Sequence, residues 1–176
     1  MKLVATVSPI ALMLIAMIAP REEQKIDVAA ETAAIKSVLS DQQKAWNRAD
    51  IPGFMDGYVR SEKLRFASRG SFRFGWEATL KNYQKGYPNK DAMGKLTFSD
   101  LQVQVLSREW AEVFGRWELK RGGEFDDIGG LYTLLLQKTE QGWRVLHDHT
   151  SSRQKEAAKK EPGAKKTPGD KKAVKE

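Results

Sequence analysis

The sequence predicts an α+β fold in which about three helices cover one face of a curved antiparallel sheet. Apolar residues recur at helical spacing in the first half of the folded region. After Gly94 the period changes to two and stays at two as far as Thr150. Turn sequences around Gly122-Gly123 and Gly142 separate the later runs, which is typical of an antiparallel meander. No internal repeat and no second domain is visible.

Three helices are predicted before the sheet. The first has apolar and aromatic residues at helical spacing over 35–46, with charged residues on its other side. Asp50 is placed to cap a short second helix, which has Pro52 in its first turn. Gly75 precedes the third helix, and Pro88 follows its end.

The strands follow from alternation. A short strand is predicted over 63–68, between the second and third helices. In the run after Gly94 the apolar parity changes at Ser99-Asp100, which predicts a bulge that bends the strand. The run over 131–136 is apolar on both faces, as in a central strand. We interpret Gly129-Gly130, just before it, as hairpin punctuation.

The last strand, over 142–151, holds both histidines of the chain. Successive strand side chains point to opposite faces. Alternation therefore predicts a core-facing set of Trp143, Val145, His147 and His149. Asp148 falls on the other face with Arg144 and Leu146, which makes it a poor candidate for a metal ligand.

The N-terminus predicts export. The run from Leu3 to Ala19 is almost entirely apolar. As a helix it would span roughly 26 Å, less than a hydrocarbon core of ~30 Å. Residues 1–20 are therefore expected to be an export signal that sends the protein to the periplasm or outside the cell. Because Pro20 makes a poor cleavage site, retention by an uncleaved N-terminal anchor stays open.

Residues 21–30 are expected to form a linker, 31–152 the folded domain, and 153–176 a disordered basic tail. The tail has nine Lys and Arg against four Asp and Glu, which leaves only +2 of the net charge of +7 on the rest of the chain. Specific nucleic-acid binding is therefore not expected. The tail is either a solvated segment or an electrostatic tether to an anionic surface such as a membrane, cell-wall polymer or nucleic acid.

Four segments carry a family resemblance: 93–98, 111–119 with Gly115-Arg116-Trp117, 130–134, and above all 142–151. With this order of elements, the chain resembles the nuclear transport factor 2-like superfamily, and within it the SnoaL-like branch. It is also similar to the association domain of calmodulin-dependent kinase II. The resemblance implies a cone-shaped sheet closed by helices, a cavity between them, and a homodimer formed through the outer sheet face.

The predicted cavity residues come from the helices, the first strand, the strand over 111–119 and the last strand. They are Tyr58, Phe66, Ser68, Trp76, Tyr83, Trp117, His147 and His149. Arg116 alternates to the outer face, where it would be a surface charge. A second interpretation places Arg116 in the cavity, since arginines in the kinase association domain line a cavity that accepts carboxylates.

The chemistry of the histidines stays open at this point. His147 and His149 could be hydrogen-bonded structural groups, could grip an anionic or carbonyl ligand, or could act as general acid or base. The isomerase and cyclase branches of the superfamily place an acidic residue in the cavity, and none is assignable here. Asp56, Glu62 and Glu77 are expected to be solvated or capping charges. No cofactor is expected, and no metal, because nothing completes the ligand set of a His-x-His pair.

Three functions remain open from the sequence. The first is an exported domain that binds a small organic ligand, with carboxylates as one candidate class. The second is an isomerase, cyclase or hydrolase with a cavity histidine as acid or base. The third is a dimerising interaction module whose cavity is filled by side chains. Fold alone does not choose between them.

Overall fold

The computed structural model describes residues 25–153. The predicted export signal or anchor, and the tail beyond Arg153, lie outside the described residues. The helices are α1 (Val28–Asn47), α2 (Ile51–Met55), α3 (Trp76–Gly86) and α4 (Lys90–Met93). The strands are β1 (Arg65–Ser68), β2 (Ser71–Phe74), β3 (Lys95–Val105), β4 (Trp110–Lys120), β5 (Ile128–Thr139) and β6 (Gly142–Thr150).

The six strands form one sheet in the order β2-β1-β6-β5-β4-β3. All neighbouring strands are antiparallel except β1 and β6, which run parallel. The helices pack on one face, and the apolar core lies between them and the sheet. The predicted α+β fold, a curved antiparallel sheet covered by helices, is confirmed. Within residues 25–153, no helix has the length and apolar character needed to cross a bilayer.

Helix starts follow the sequence closely. Asp27 caps α1 by accepting a hydrogen bond from the backbone N–H of Ala30 at 3.0 Å. Asp50 caps α2 in the same way through Gly53, at 2.8 Å, as predicted. These carboxylates satisfy N–H groups that have no partner inside a helix. α1 begins at Val28, within the segment expected to be a linker.

The free edge of β3 is covered by polar side chains of α1. The amide of Asn47 accepts from the N–H of Leu96 at 2.7 Å and donates to its carbonyl at 3.0 Å. Gln43 accepts from the N–H of Phe98 at 2.7 Å. These bonds fix α1 against the sheet and occupy backbone groups that an exposed edge would leave open to another strand.

Two details of the predicted strand layout were wrong. The turn after Ser68 leads into a second short strand, β2, and the Gly129-Gly130 pair lies inside β5. A side chain at Gly130 would collide with the backbone of Ser151, so glycine is required there by close packing of the chain and not by a turn. The helix α4 was also not predicted.

Bulges interrupt two strands. The predicted one in β3 is confirmed, because the register with β4 shifts between Ser99 and Gln102. A second, unpredicted bulge lies in β6, where Val145 pairs with Leu136 but His147 pairs with Leu135. Leu146 is the extra residue, and an extra residue reverses the faces of everything beyond it.

The Gly115→Ala variant tests how tightly the side chain of Tyr132, on β5, packs over Gly115 on β4. A Cβ at this position would lie 2.6 Å from the Tyr132 hydroxyl and 3.1 Å from Leu101 Cδ2. We expect a loss of about 1–3 kcal/mol in the free energy of unfolding, measured by chemical denaturation. The control is Gly86→Ala, where no atom lies within 4 Å of the added carbon. Equal stability of the two variants would contradict this packing.

Candidate ligand cavity

A cavity of about 510 Å³ opens between the helices and the inner face of the sheet. This volume is within the usual range for small-molecule sites. The wall is mostly aromatic and aliphatic, and its aromatic members are Trp46, Phe54, Tyr58, Phe66, Tyr83, Tyr87, Phe98, Trp117 and Tyr132. The predicted cavity is therefore present and open, and the hypothesis of a cone filled by side chains is wrong.

Strand register explains which sheet residues reach the cavity. One inner row crosses the sheet through Phe66, Asp148 and Leu134, which are paired neighbours on β1, β6 and β5. The next row crosses through Ser68, Thr150 and Tyr132. All six residues line the cavity.

Asp148 is the acidic residue of this cavity. Its side chain is buried, with the residue only 4% exposed. The Tyr58 hydroxyl donates to Oδ2 at 2.8 Å, and the Thr150 hydroxyl donates to Oδ1 at 2.6 Å. Burial raises the pKa of Asp148 to about 6, although both hydrogen bonds oppose this shift by stabilising the charged form. The carboxyl group therefore titrates close to neutral pH.

Tyr58 and Tyr83 extend this network. Their hydroxyl groups are hydrogen-bond partners, and their rings both pack on Phe54. Burial, reinforced by the negative charge of Asp148, raises the pKa of both tyrosines well above the ordinary value. Both hydroxyls thus keep their protons at neutral pH and can serve as hydrogen-bond donors.

Tyr132 carries an unused hydroxyl. Among residues 25–153, its oxygen is the buried side-chain polar atom without a hydrogen-bond partner. The ring packs edge-on against Phe98, with centroids 5.4 Å apart, and the residue lines the cavity. An unsatisfied buried hydroxyl costs about 1–3 kcal/mol.

The prediction that both histidines face the cavity is wrong. The bulge at Leu146 turns His147 and His149 to the outer face of the sheet, where they lie beside Arg65 and Ala67 of β1. His149 is exposed and His147 is half-buried. Burial, and then the charges of Arg65 and His149, lower the pKa of His147. Neither ring lines the cavity.

The other predicted site residues divide into two groups. Those that line the cavity are Tyr58, Phe66, Ser68, Tyr83 and Trp117. Trp76 does not, because its indole N–H donates to the Met55 carbonyl at 2.9 Å within the core. Arg116 is on the outer side and pairs with Asp100 at 3.1 Å, so the interpretation that placed it in the cavity is wrong. Ligand binding by any of these residues stays a prediction.

Asp148 is the residue that sequence reasoning missed. The apolar Leu146 directly after the apolar Val145 was the trace of the bulge, since strict alternation would place a polar residue there. The acidic residues expected to be solvated, Asp56, Glu62 and Glu77, are indeed exposed. Within the described part of the chain, no group of three or more His, Asp or Glu is arranged to hold a metal ion.

The stability of the fold should depend on the proton of Asp148. The folded-state pKa of Asp148, about 6, exceeds the ordinary 3.8, so its proton is bound more tightly in the folded protein. The resulting contribution to the free energy of unfolding is fully present below pH 3.8 and is lost as pH rises through 6. The shift corresponds to ~3 kcal/mol. Asp148→Asn should remove this component, measured as the difference in unfolding free energy between wild type and variant from pH 3.5 to 8.

The prediction compares wild type with Asp148→Asn because other carboxylates make the protein less stable as pH falls, which is the opposite dependence. Hydrogen bonds from their partners lower the pKa values of Glu31, Asp50 and Asp127, and these contributions cancel when the two proteins are compared. A difference that stays constant between pH 4 and 7 would show that Asp148 has an ordinary pKa and is not buried as described.

Several solved structures are similar to this chain. A nuclear transport factor 2-like protein of unknown function from Shewanella oneidensis is 41% identical, with a TM-score of 0.64, over 68% of this chain and 98% of that one. A ketosteroid isomerase-like protein from Erwinia carotovora atroseptica is 22% identical, with a TM-score of 0.58, over 71% and 98% of the two chains.

A nuclear transport factor 2-like superfamily protein from Salmonella enterica matches at 18% identity and a TM-score of 0.58, over 76% and 98% of the two chains. No protein-family model and no curated protein matches the chain. The second and third structures show the fold alone. The Shewanella protein is covered almost completely at 41% identity. This chain therefore belongs to the nuclear transport factor 2-like superfamily.

Proposed function

We propose that this protein binds a small organic molecule in the cavity, with a polar group of the ligand directed at Asp148. The observation that carries the proposal is a buried carboxyl group, hydrogen-bonded by Tyr58 and Thr150, at the wall of an open cavity of about 510 Å³. This carboxyl group borders space that a ligand can occupy.

The character of the wall supports the same proposal. Nine aromatic rings contribute to the wall, so transfer of an apolar ligand from water onto them is favoured by roughly 25 cal/mol for each Å² buried. Polar groups are clustered on the sheet side of the cavity, where Asp148, Thr150 and Tyr132 occupy adjacent positions in the two inner rows. A ligand whose apolar body carries an uncharged hydrogen-bonding group toward Asp148 matches this arrangement.

The test of binding uses a variant that fills the cavity. Ser68→Trp adds a large side chain to the inner row, whereas His149→Ala changes a side chain on the outer face of the neighbouring strand. A thermal-shift screen with small carboxylates and steroid-like ketones, followed by calorimetry on the hits, gives the affinities. We expect at least a tenfold loss of affinity in Ser68→Trp and no change in His149→Ala.

The folding of Ser68→Trp is checked by its far-ultraviolet circular dichroism. If the folded variant binds every hit as tightly as wild type, the ligand lies outside the cavity. If His149→Ala weakens binding as much as Ser68→Trp, the site is on the outer face. Either outcome would contradict the proposal.

A specific observation favours a second function, catalysis of proton transfer with Asp148 as the base. A carboxylate with an ordinary pKa is a weak base at neutral pH, and burial raises the pKa of this one to about 6. Asp148 would take a proton from the α-carbon of a β,γ-unsaturated ketone, which leaves a dienolate, and return it to the γ-carbon, so that the double bond moves into conjugation with the carbonyl. A tyrosine hydroxyl would stabilise the oxygen by donating a hydrogen bond. In this proposal Asp148 takes the role of general base that the sequence analysis had suggested for His147 or His149.

Deuterium exchange tests this second function without knowledge of the natural substrate. The intact protein is incubated with 2-tetralone in D₂O, and incorporation at the α-carbon is followed by NMR. Exchange should rise with pH through about 6 and then level off, because the ionised carboxylate is the base. Asp148→Asn should reduce the rate by about 100-fold or more. A rate in Asp148→Asn equal to that of His147→Ala and of wild type would contradict catalysis by Asp148.

Three further features of the chain remain proposals. A second copy is the proposed partner for the outer sheet face, where Phe114 and Leu131 are about 40% exposed and the two histidines lie nearby. Export, or retention by the N-terminal segment, rests on residues 1–20. A tether to an anionic surface rests on the basic tail.

A further inference from the structure

We infer that the ligand is an amphipathic anion, with its apolar body inside the cavity and its acidic group at the opening against Arg69, Arg73 and Lys85. This inference rests on the proposed binding function and names the class of ligand. It follows from where the charged residues of the cavity lie and from the partners they lack.

The charges around the cavity are strongly asymmetric. Four cations contribute to its lining, Arg69, Arg73, Lys85 and Arg121, and Asp148 is the single acidic residue among the lining residues that the structure describes. The acid is buried, whereas Arg69 and Lys85 are exposed and Arg73 and Arg121 are half-buried. The interior therefore ends in a carboxyl group and the opening is surrounded by positive charge.

None of the four cations forms a salt bridge within residues 25–153, although six other Lys and Arg do. Arg121 differs from the other three because its Nε donates to the backbone carbonyl of Asp126 at 2.6 Å. The guanidinium of Arg73 lies 5.6 Å from the Phe66 ring centroid, inside the cavity wall. The three free cations thus border the cavity and can interact with an incoming anion.

Strand register gives the separation between the two ends of the site. Arg73 pairs with Phe66, and Phe66 pairs with Asp148, so the three residues form one inner row across β2, β1 and β6. Two strand spacings place the Cα atoms of Arg73 and Asp148 roughly 10 Å apart. Arg69 directly follows Ser68, which is level with Thr150. Lys85 is in the last turn of α3.

This geometry orients an amphipathic anion in one direction. A negatively charged group placed deep in the cavity would be repelled by the ionised Asp148 and would lose its hydration. The same group at the opening stays partly hydrated and meets arginine, whose planar guanidinium suits carboxylate and phosphate oxygens. The apolar body is then left to cover the aromatic wall.

The experiment compares three probes that share a ten-carbon chain: decanoate, decyl phosphate and decanol. Binding to the full chain is measured by tryptophan fluorescence, since Trp46 and Trp117 line the cavity. We expect decanoate to bind at least tenfold more tightly than decanol, and this preference to shrink in 1 M salt, where the Debye length is about 3 Å. The decanoate and decyl phosphate arms distinguish a carboxylate ligand from a phosphate ligand.

The variant is Arg69→Gln/Lys85→Gln, which removes two exposed charges without entering the core. The matched control is Arg65→Gln/Lys81→Gln, which changes one Arg in β1, the strand that Arg69 follows, and one Lys in α3, at positions that do not line the cavity. The preference for the anions should fall to about two-fold or less in the first variant and persist in the control. Decanol affinity should be unchanged in both.

The outcomes separate the two proposals. Equal affinity of wild type for decanol and both anions, or equal loss in variant and control, would overturn the amphipathic anion and leave cavity binding supported. Failure of all three probes to bind at millimolar concentration would contradict both proposals.

Discussion

The extra residue in β6 controls the chemistry of the cavity. On the side away from β5, Val145 is hydrogen-bonded to the segment around Tyr58. Its N–H donates to the Gly57 carbonyl at 2.8 Å, and its carbonyl accepts from the N–H of Val59 at 2.9 Å. Two residues later, His147 is paired with β1. Leu146 lies between these two sets of pairing, where the strand changes its neighbour. The alternation of side chains restarts after it, with Asp148 directed inward.

The same local pairing places the principal partner of Asp148. Tyr58 forms a bridge with Val145, so its backbone position is fixed by the strand that carries the carboxyl group. The tyrosine hydroxyl then reaches Asp148 at 2.8 Å. Two residues that are 90 positions apart in the chain are thus brought together by one short segment of backbone pairing. Removal of the bulge would direct Asp148 to the outer face and put histidines beside Tyr58.

The cavity consequently has two chemically different ends. Buried tyrosines and a carboxyl group that titrates near pH 6 form the inner one, and unpaired cations form the opening. Aromatic rings separate them. Membership of the superfamily does not specify a reaction, and the Shewanella protein at 41% identity is itself of unknown function. The proposals therefore depend on named side chains of this chain and on their distances, not on the fold.

The sequence by itself determined helices α1 to α3 and every strand except β2 in their order, the helix caps at Asp50 and Gly75, and the bulge in β3. These features depend on residues that are close together in the sequence. Helix caps need particular residue types, and the bulge follows from the change of apolar parity between Leu96 and the run Leu101, Val103 and Val105. Of the eight residues that the sequence predicted to line the cavity, five do so. The remaining three are Trp76, which packs into the core instead, and the two histidines.

Tertiary structure decided which face of the last strand meets the cavity. Beyond Leu146 the strand continues with His147, Asp148, His149 and Thr150, which are all polar, so no apolar residue marks the inner parity. That parity depends on a bulge, and the bulge lies where pairing changes from the Tyr58 segment to β1. Both partners are distant in sequence, and local periodicity carries no information about them.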